Sequence, residues 1–258
     1  MKLLKNRPLK KFTTFKIGGP AKLLVVPESP EELRAFLKKN RKPIFVLGGG
    51  SNVLFSDKGF DGVVVSTAKM KKLSGNIAEA GVPLARLKIP ELAGIPGTIG
   101  GAVKGNAGAF GVSIGDFVEY VKCFDKKGKS FKLKPKFSYR KSNIKGIIYE
   151  VGLRINPKSG PADRFLKERK EKQPWGTPSA GSIFKNPPND SAGRLIEACG
   201  LKGQRIGGAQ VSNQHANFIV NTGSATASDV KKLIKKIQKA VKSKFGIKLE
   251  TEVVSVLS

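Results

Sequence analysis

Two glycine-rich loops set the limits on how this chain can fold. Gly48-Gly49-Gly50-Ser51-Asn52 follows the apolar run Ile44-Phe45-Val46-Leu47, and residues 94–111 (GIPGTIGGAVKGNAGAFG) hold seven glycines. Bare backbone of this kind lets N–H groups converge on an anion, which is how glycine loops bind phosphates. Neither loop is a Walker A, which needs Gly-Lys-Ser/Thr at fixed spacing. Neither is a GxGxxG fingerprint between a strand and a helix with an acidic residue further on. Together they point to a pyrophosphate-bearing cofactor held in a non-Rossmann way.

The surrounding pattern is mixed. Residues 21–26 read as a short apolar strand, and Ser29-Pro30-Glu31-Glu32 as a capping box opening a helix with the stripe Leu33, Phe36, Leu37 and an end near Asn40. Further strands are expected at 43–47 and 62–66. From 117 to 155 short β-rich pieces follow, at 118–124, 130–133 and 147–155, with a turn at 126–128, as in an antiparallel sheet. This order indicates an α+β or α/β chain.

A linker is expected at 157–161, then a charged, exposed helix at 164–172. Ser191 caps a helix that Gly200 closes after Cys199, 211–220 reads as a strand, and a last helix starts at Thr226 or Ser228. Its stripe is Val230, Leu233, Ile234, Ile237, Val241 and Phe245, with Gly246 as the stop and lysines on the solvated face. A closing strand is expected at 247–257. Between Pro178 and Pro187 lies Ser-Ala-Gly-Ser-Ile-Phe-Lys-Asn, where Ser182, Lys185 and Asn186 would share one face of a helical turn. A segment that only connects has no need of a hydroxyl, a cation and an amide so placed.

Charge narrows the partners. Of 258 residues, 48 are Lys or Arg against 19 Asp or Glu, a formal net charge of +29. That suits polyanions, either nucleic acid or a ligand with several phosphates. The lysines are spread along the chain, and one Trp and three Tyr offer no base-stacking platform, so charge alone argues weakly for nucleic acid. Two distant cysteines and one histidine match no recognised zinc spacing, and they fit a reducing compartment. The basic N-terminus has no apolar core after it, so no signal peptide is expected, and no apolar run is long enough to suggest a membrane span.

Thr13-Thr14-Phe15-Lys16-Ile17-Gly18-Gly19-Pro20-Ala21 precedes the first glycine loop, and Asn106-Ala107-Gly108-Ala109-Phe110-Gly111 closes the second. Then come Tyr139-Arg140-Lys141-Ser142, the 178–187 segment, His215-Ala216-Asn217-Phe218-Ile219-Val220-Asn221 and Leu249-Glu250-Thr251-Glu252-Val253. In this order, over nearly the whole chain, these blocks resemble the UDP-N-acetylenolpyruvoylglucosamine reductase family, also called UDP-N-acetylmuramate dehydrogenases.

The resemblance implies an α+β fold. A FAD-binding domain of the vanillyl-alcohol-oxidase type would have two subdomains, at 1–68 and 69–156. A C-terminal α/β domain, 157–258, would bind the UDP-sugar, its last strand returning to the active site. It also implies a flavoenzyme of peptidoglycan precursor synthesis. NADPH reduces FAD, hydride passes from flavin N5 to the methylene of the enolpyruvyl ether, and a proton completes UDP-N-acetylmuramate. FAD contacts carry over to Gly48, Gly49, Gly50, Ser51, Asn52, Gly97, Thr98, Gly101, Asn106, Ala107 and Gly108. Substrate contacts carry over to Tyr139, Lys185, Asn186 and His215. The implied setting is a cytoplasmic monomer with a small-molecule substrate, no metal, no obligate nucleic acid and no membrane.

The chemistry explains the residue types. Negative charge spreading into the substrate carboxylate needs a fixed cation and a hydrogen-bonding acid. Arg140 fits the first. Glu252, protonated or sharing a proton, fits the second, with Glu250 as a rival two residues earlier on an extended segment. Ser182 fits the proton donor, since a strongly basic acceptor asks for position more than acidity. Lys185 would ease the loss of that proton. Bland readings stand beside these: Arg140 and the two glutamates as solvated strand residues, His215 as a packed histidine.

The chain also departs from the family pattern. It is short between Val82 and Glu91, where a helix of the second subdomain is expected to be missing, and no insert carries a substrate-clamping Tyr, which marks a compact type. Two other readings stay open, another flavin oxidoreductase of the same superfamily and a non-enzymatic polyanion binder.

Overall fold

A computed structural model describes residues 1–155 and 162–256, so the expected linker at 157–161 lies outside the described residues. Five α-helices are described: α1 Pro30–Lys39, α2 Ile99–Gly105, α3 Ala162–Lys172, α4 Ala192–Ala198 and α5 Ala227–Phe245. The chain divides into two compact units. The first is Met1–Asn6, Lys22–Gly49 and Gly62–Lys167, and the second is Arg7–Ala21, Gly50–Asp61 and Glu168–Ser258. Among the described residues no helix is long and apolar enough to cross a membrane.

The first unit carries two sheets. One is four-stranded in the order Lys2–Pro8, Pro20–Val26, Phe60–Ser66, Ile44–Leu47. The last two strands run parallel, Ile44 opposite Val63. The other runs Ser130–Leu133, Val118–Phe124, Ile147–Leu153, Ile77–Glu79, Leu73–Ser74, antiparallel at each pairing. The expected antiparallel sheet is thus present, with Val118–Phe124 and Ser130–Leu133 at their expected bounds. Val63, Val65, Val121, Val151, Ile99 and Val103 are buried in its core. Only one half of the expected capping box forms at α1. Ser29 Oγ accepts from Glu32 N–H at 3.3 Å, but the Glu32 carboxylate turns to the N–H of Glu28 at 2.8 Å. Between Val82 and Glu91 the chain makes 3-10 turns at Leu84–Leu87 and Pro90–Leu92 and no α-helix.

The second unit packs α4 and α5 over the sheet Ser179–Ser182, Phe218–Asn221, Ala209–Val211, Arg205–Ile206. Thr226 and Asp229 form the capping box of α5, and Asp57 accepts from Ala227 N–H (2.7 Å) and Ser228 N–H (3.0 Å). Val230, Leu233, Ile234, Ile237 and Val241 are buried as the spacing requires. Full burial of such a side chain contributes about 1.5–3 kcal/mol, so this stripe docks the helix.

Three expectations fail here. Residues 211–220 are not one strand but the end of one and the start of the next. Ser212 Oγ accepts from the N–H groups of Gln214 (3.1 Å) and His215 (3.3 Å), reversing the chain so that Val211 pairs with Ile219. The 178–187 segment is not a helical turn. Its first half is the strand Ser179–Ser182, with an irregularity where Gly181 takes φ +74°. The closing strand is shorter than expected, Val254–Val256, and pairs in parallel with Val53–Phe55.

Candidate active site

In the second unit one hydrogen-bond network joins three stretches that lie far apart in sequence. Thr14 N–H donates to Gly50 O at 3.0 Å and its hydroxyl to Ser179 O at 2.7 Å, tying the end of the first glycine loop to the strand that ends at Ser182. Asn52 Nδ2 donates to Glu252 O at 3.3 Å. Glu252 N–H in turn donates to Ile183 O at 2.8 Å, so the Glu252 backbone is bonded next to Ser182. Ser182 and Glu252 are both half-buried.

Asn217 holds the chain beyond Ser182. Its amide accepts from Phe184 N–H (3.0 Å) and donates to Phe184 O (2.8 Å), and its carbonyl accepts from Ile183 N–H (2.8 Å). Asn217 and Thr14 stand in the quoted motifs without an assigned role. A buried amide inside the apolar run 216–220 was the signal, since such a group must be satisfied.

The rival carboxylates are now distinct. Glu250 is 74% exposed at its side chain and pairs with Lys185 Nζ at 3.3 Å. Lys185 N–H also donates to Glu250 O at 2.9 Å. The expected shared face of Ser182 and Lys185 therefore gives way to a strand followed by a clamped turn. Asn186 is exposed, and its amide oxygen accepts from Ala192 N–H at 3.1 Å, at the start of α4.

The first unit brings the two glycine loops against each other. A Cβ on Gly48 would stand 2.6 Å from Thr98 Oγ1, and one on Gly49 would stand 2.6 Å from Gly97 Cα. Only bare backbone permits that approach. Thr98 Oγ1 is buried without a hydrogen-bond partner, and in the second unit so is Asn52 Oδ1. Buried polar atoms left open in this way are exceptions that call for a ligand or water. Within the first unit, the bare backbone of Gly48, Gly49 and Gly97 beside the open Thr98 hydroxyl fits the close approach that a dinucleotide cofactor needs. Ile99 and Gly100 N–H are bonded to Val82 O (2.8 Å) and Ala80 O (2.9 Å), while Gly101 is exposed.

Arg140 and Tyr139 form the two-residue tip of the hairpin Phe137–Ser138 and Lys141–Ser142. Arg140 takes φ +55°, a conformation costing roughly 1–2 kcal/mol for a residue other than glycine. Its Nη2 donates to Gly108 O at 2.9 Å. Tyr139 is 54% exposed, with the guanidinium 5.2 Å from its ring centre. Asn106 is buried at the end of α2 with φ +47°. Ala107 and Gly108 follow it, half-buried.

His215 is a packed residue of the reversing turn. Its Nδ1 accepts from Asn217 N–H at 3.2 Å, and its ring lies 4.9 Å from that of Phe218. Burial, and then the Lys202 cation, push its pKa below the usual value. The folded state therefore resists protonation. The stability this provides is present above the ordinary pKa of about 6.5 and is lost as pH falls below it. His215→Asn should cost stability near neutral pH and progressively less in acid, read from melting temperatures across that range. A pH-independent difference would contradict this. The two cysteines are free thiols, and burial pushes Cys123 up to about 12.

Glycine loops packed this closely, beside an open Thr98 hydroxyl, suit a protein that holds a phosphate-bearing cofactor, and family and relatives make that class the FAD-binding oxidoreductases. Residues 21–134 match the family model described as "FAD binding domain", and residues 173–256 match "UDP-N-acetylenolpyruvoylglucosamine reductase, C-terminal domain". The reductase of Caldanaerobacter subterraneus subsp. tengcongensis is 45% identical, covering 98% of this chain and 93% of its own. That of Caldicellulosiruptor bescii is 44% identical, covering 98% and 90%. The crystal structure of the Thermus caldophilus UDP-N-acetylenolpyruvylglucosamine reductase is 35% identical, with a TM-score of 0.83 over 98% of both chains. The chain belongs to the UDP-N-acetylenolpyruvoylglucosamine reductase family. The expected α+β fold and FAD-binding class are borne out, and the non-enzymatic reading falls.

Proposed function

We propose that the chain reduces UDP-N-acetylglucosamine enolpyruvate to UDP-N-acetylmuramate, with Ser182, Glu252 and Arg140 as its catalytic residues. The network that bonds the Glu252 backbone beside Ser182 and to the glycine loop through Asn52 carries this reading. When bound, FAD supplies the hydride that NADPH provides. Gly48, Gly49, Gly50, Ser51, Asn52, Gly97, Thr98, Gly101, Ala107 and Gly108 would hold it, a reading supported by the close loop approach and the open oxygens of Thr98 and Asn52.

Arg140 neutralises the substrate carboxylate, and Glu252 shares a proton with it, so that charge developing there is stabilised. Ser182 delivers the proton to the carbon beside that carboxylate. Asn217 and Thr14 orient the strand carrying it, which matters because a hydroxyl donor depends on position. Lys185 and Tyr139 contact the substrate, and Asn186 and His215 support its binding site. Residues 1–68 and 69–156 are proposed as the FAD-binding part and 157–258 as the UDP-sugar domain, a reading supported by family matches at 21–134 and 173–256. The proposed setting is the cytoplasm, which sparse, distant cysteines support, and the proposed state is a monomer.

An absorbance spectrum tests the cofactor claim. The purified protein should show flavin bands in the near-ultraviolet and blue, and denaturation should release the flavin. A spectrum without those bands even after reconstitution with FAD would contradict it.

A further inference from the structure

We propose that Asn106 is a positioning residue for Arg140 and not a cofactor contact. The inference rests on the reading of Arg140 as the cation for the substrate carboxylate. Both ends of the Asn106 amide are engaged within the first unit. Nδ2 donates to Ser138 O at 2.9 Å, the last backbone acceptor before the Tyr139-Arg140 tip, and Oδ1 accepts from Gly115 N–H at 3.1 Å. Two more bonds join the same short stretch to the hairpin. Arg140 Nη2 donates to Gly108 O at 2.9 Å, and Ser142 Oγ donates to Lys104 O at 2.8 Å.

Residues 104–108 therefore hold the hairpin before its tip, at its tip and after it. A left-handed arginine persists only where its surroundings over-determine it. Asn106 is itself left-handed at φ +47°, a conformation that asparagine tolerates better than most residues, so one side chain closes α2 and fixes the hairpin at once. Aspartate keeps the size, the tolerance of that backbone and the acceptor for Gly115 N–H. It replaces the donor facing Ser138 O with an oxygen.

Asn106→Asp should bind FAD and be reduced by NADPH as the wild type does. Its reoxidation by the enolpyruvyl substrate should fall on the order of a hundredfold, the effect of displacing a catalytic group by about 1 Å. Ser142→Ala, which removes only the Lys104 anchor, should show the same pattern at smaller size. It carries the test should Asn106→Asp not fold. Loss of FAD affinity with both half-reactions slowed would make Asn106 a cofactor contact and overturn the proposal. So would a lower melting temperature with both half-reactions intact. Arg140→Ala separates the two claims. If it leaves reoxidation unchanged, the reading of Arg140 fails. If it slows reoxidation while Asn106→Asp and Ser142→Ala do not, the positioning claim alone fails.

Discussion

Replacing Ser182, the proposed proton donor, with alanine should leave flavin reduction by NADPH intact and slow reoxidation by the enolpyruvyl substrate on the order of a hundredfold or more, the usual loss for a general acid. The division between half-reactions follows from position. Ser182 closes a strand anchored at its start by Thr14 and just beyond its end by Asn217, so its hydroxyl is fixed on firm backbone. Removing the oxygen disturbs none of those bonds, and the variant should fold as the wild type does. Proton delivery belongs only to the step that consumes the reduced flavin. Rapid-mixing absorbance measurements of each half-reaction check this, and wild-type reoxidation in the alanine variant would remove Ser182 from the mechanism.

With Glu252 as the proposed acid, Glu252→Gln should produce a second large loss in the same half-reaction, and Glu250→Gln a small one. An amide can donate a hydrogen bond to the developing enolate but cannot share a proton with it. Glu250 instead forms an exposed ion pair with Lys185, and such pairs contribute about 0–1 kcal/mol. Glu252 is half-buried, with its backbone bonded on one side to Ile183 and on the other to Asn52. The two variants are compared by flavin reoxidation with the enolpyruvyl substrate. The reverse ranking would place the acid two residues earlier.

Much of the fold was legible because local rules and the final structure agree. α5 has a capping box at Thr226, an apolar stripe and a left-handed glycine at its end, and each of these can be read in order along the chain. The strands Val118–Phe124 and Ser130–Leu133 flank a turn in which Asp125 accepts from the N–H groups of Lys127 and Lys129 and Gly128 takes a positive φ. Candidate site residues could be proposed from their types, but their geometry could not be read from the sequence. Spacings of three and four residues place Ser182, Lys185 and Asn186 on one helical face, yet pairing with Phe218–Asn221 makes the first half of the segment a strand that ends at Ser182. That pairing is non-local, so no spacing within 178–187 could reveal it. The short partner of Val254–Val256 is likewise supplied by residues at the other end of the chain. Nor does a sequence disclose that Arg140 stands at positive φ, because the cause lies in anchors from 104–108.

The most direct measurement is a single turnover. The FAD-loaded protein is reduced anaerobically with stoichiometric NADPH and then mixed with UDP-N-acetylglucosamine enolpyruvate, while flavin absorbance and product are followed together. The flavin should reoxidise as UDP-N-acetylmuramate forms in equal amount. A flavin that stays reduced in the presence of unchanged substrate would contradict the assigned activity.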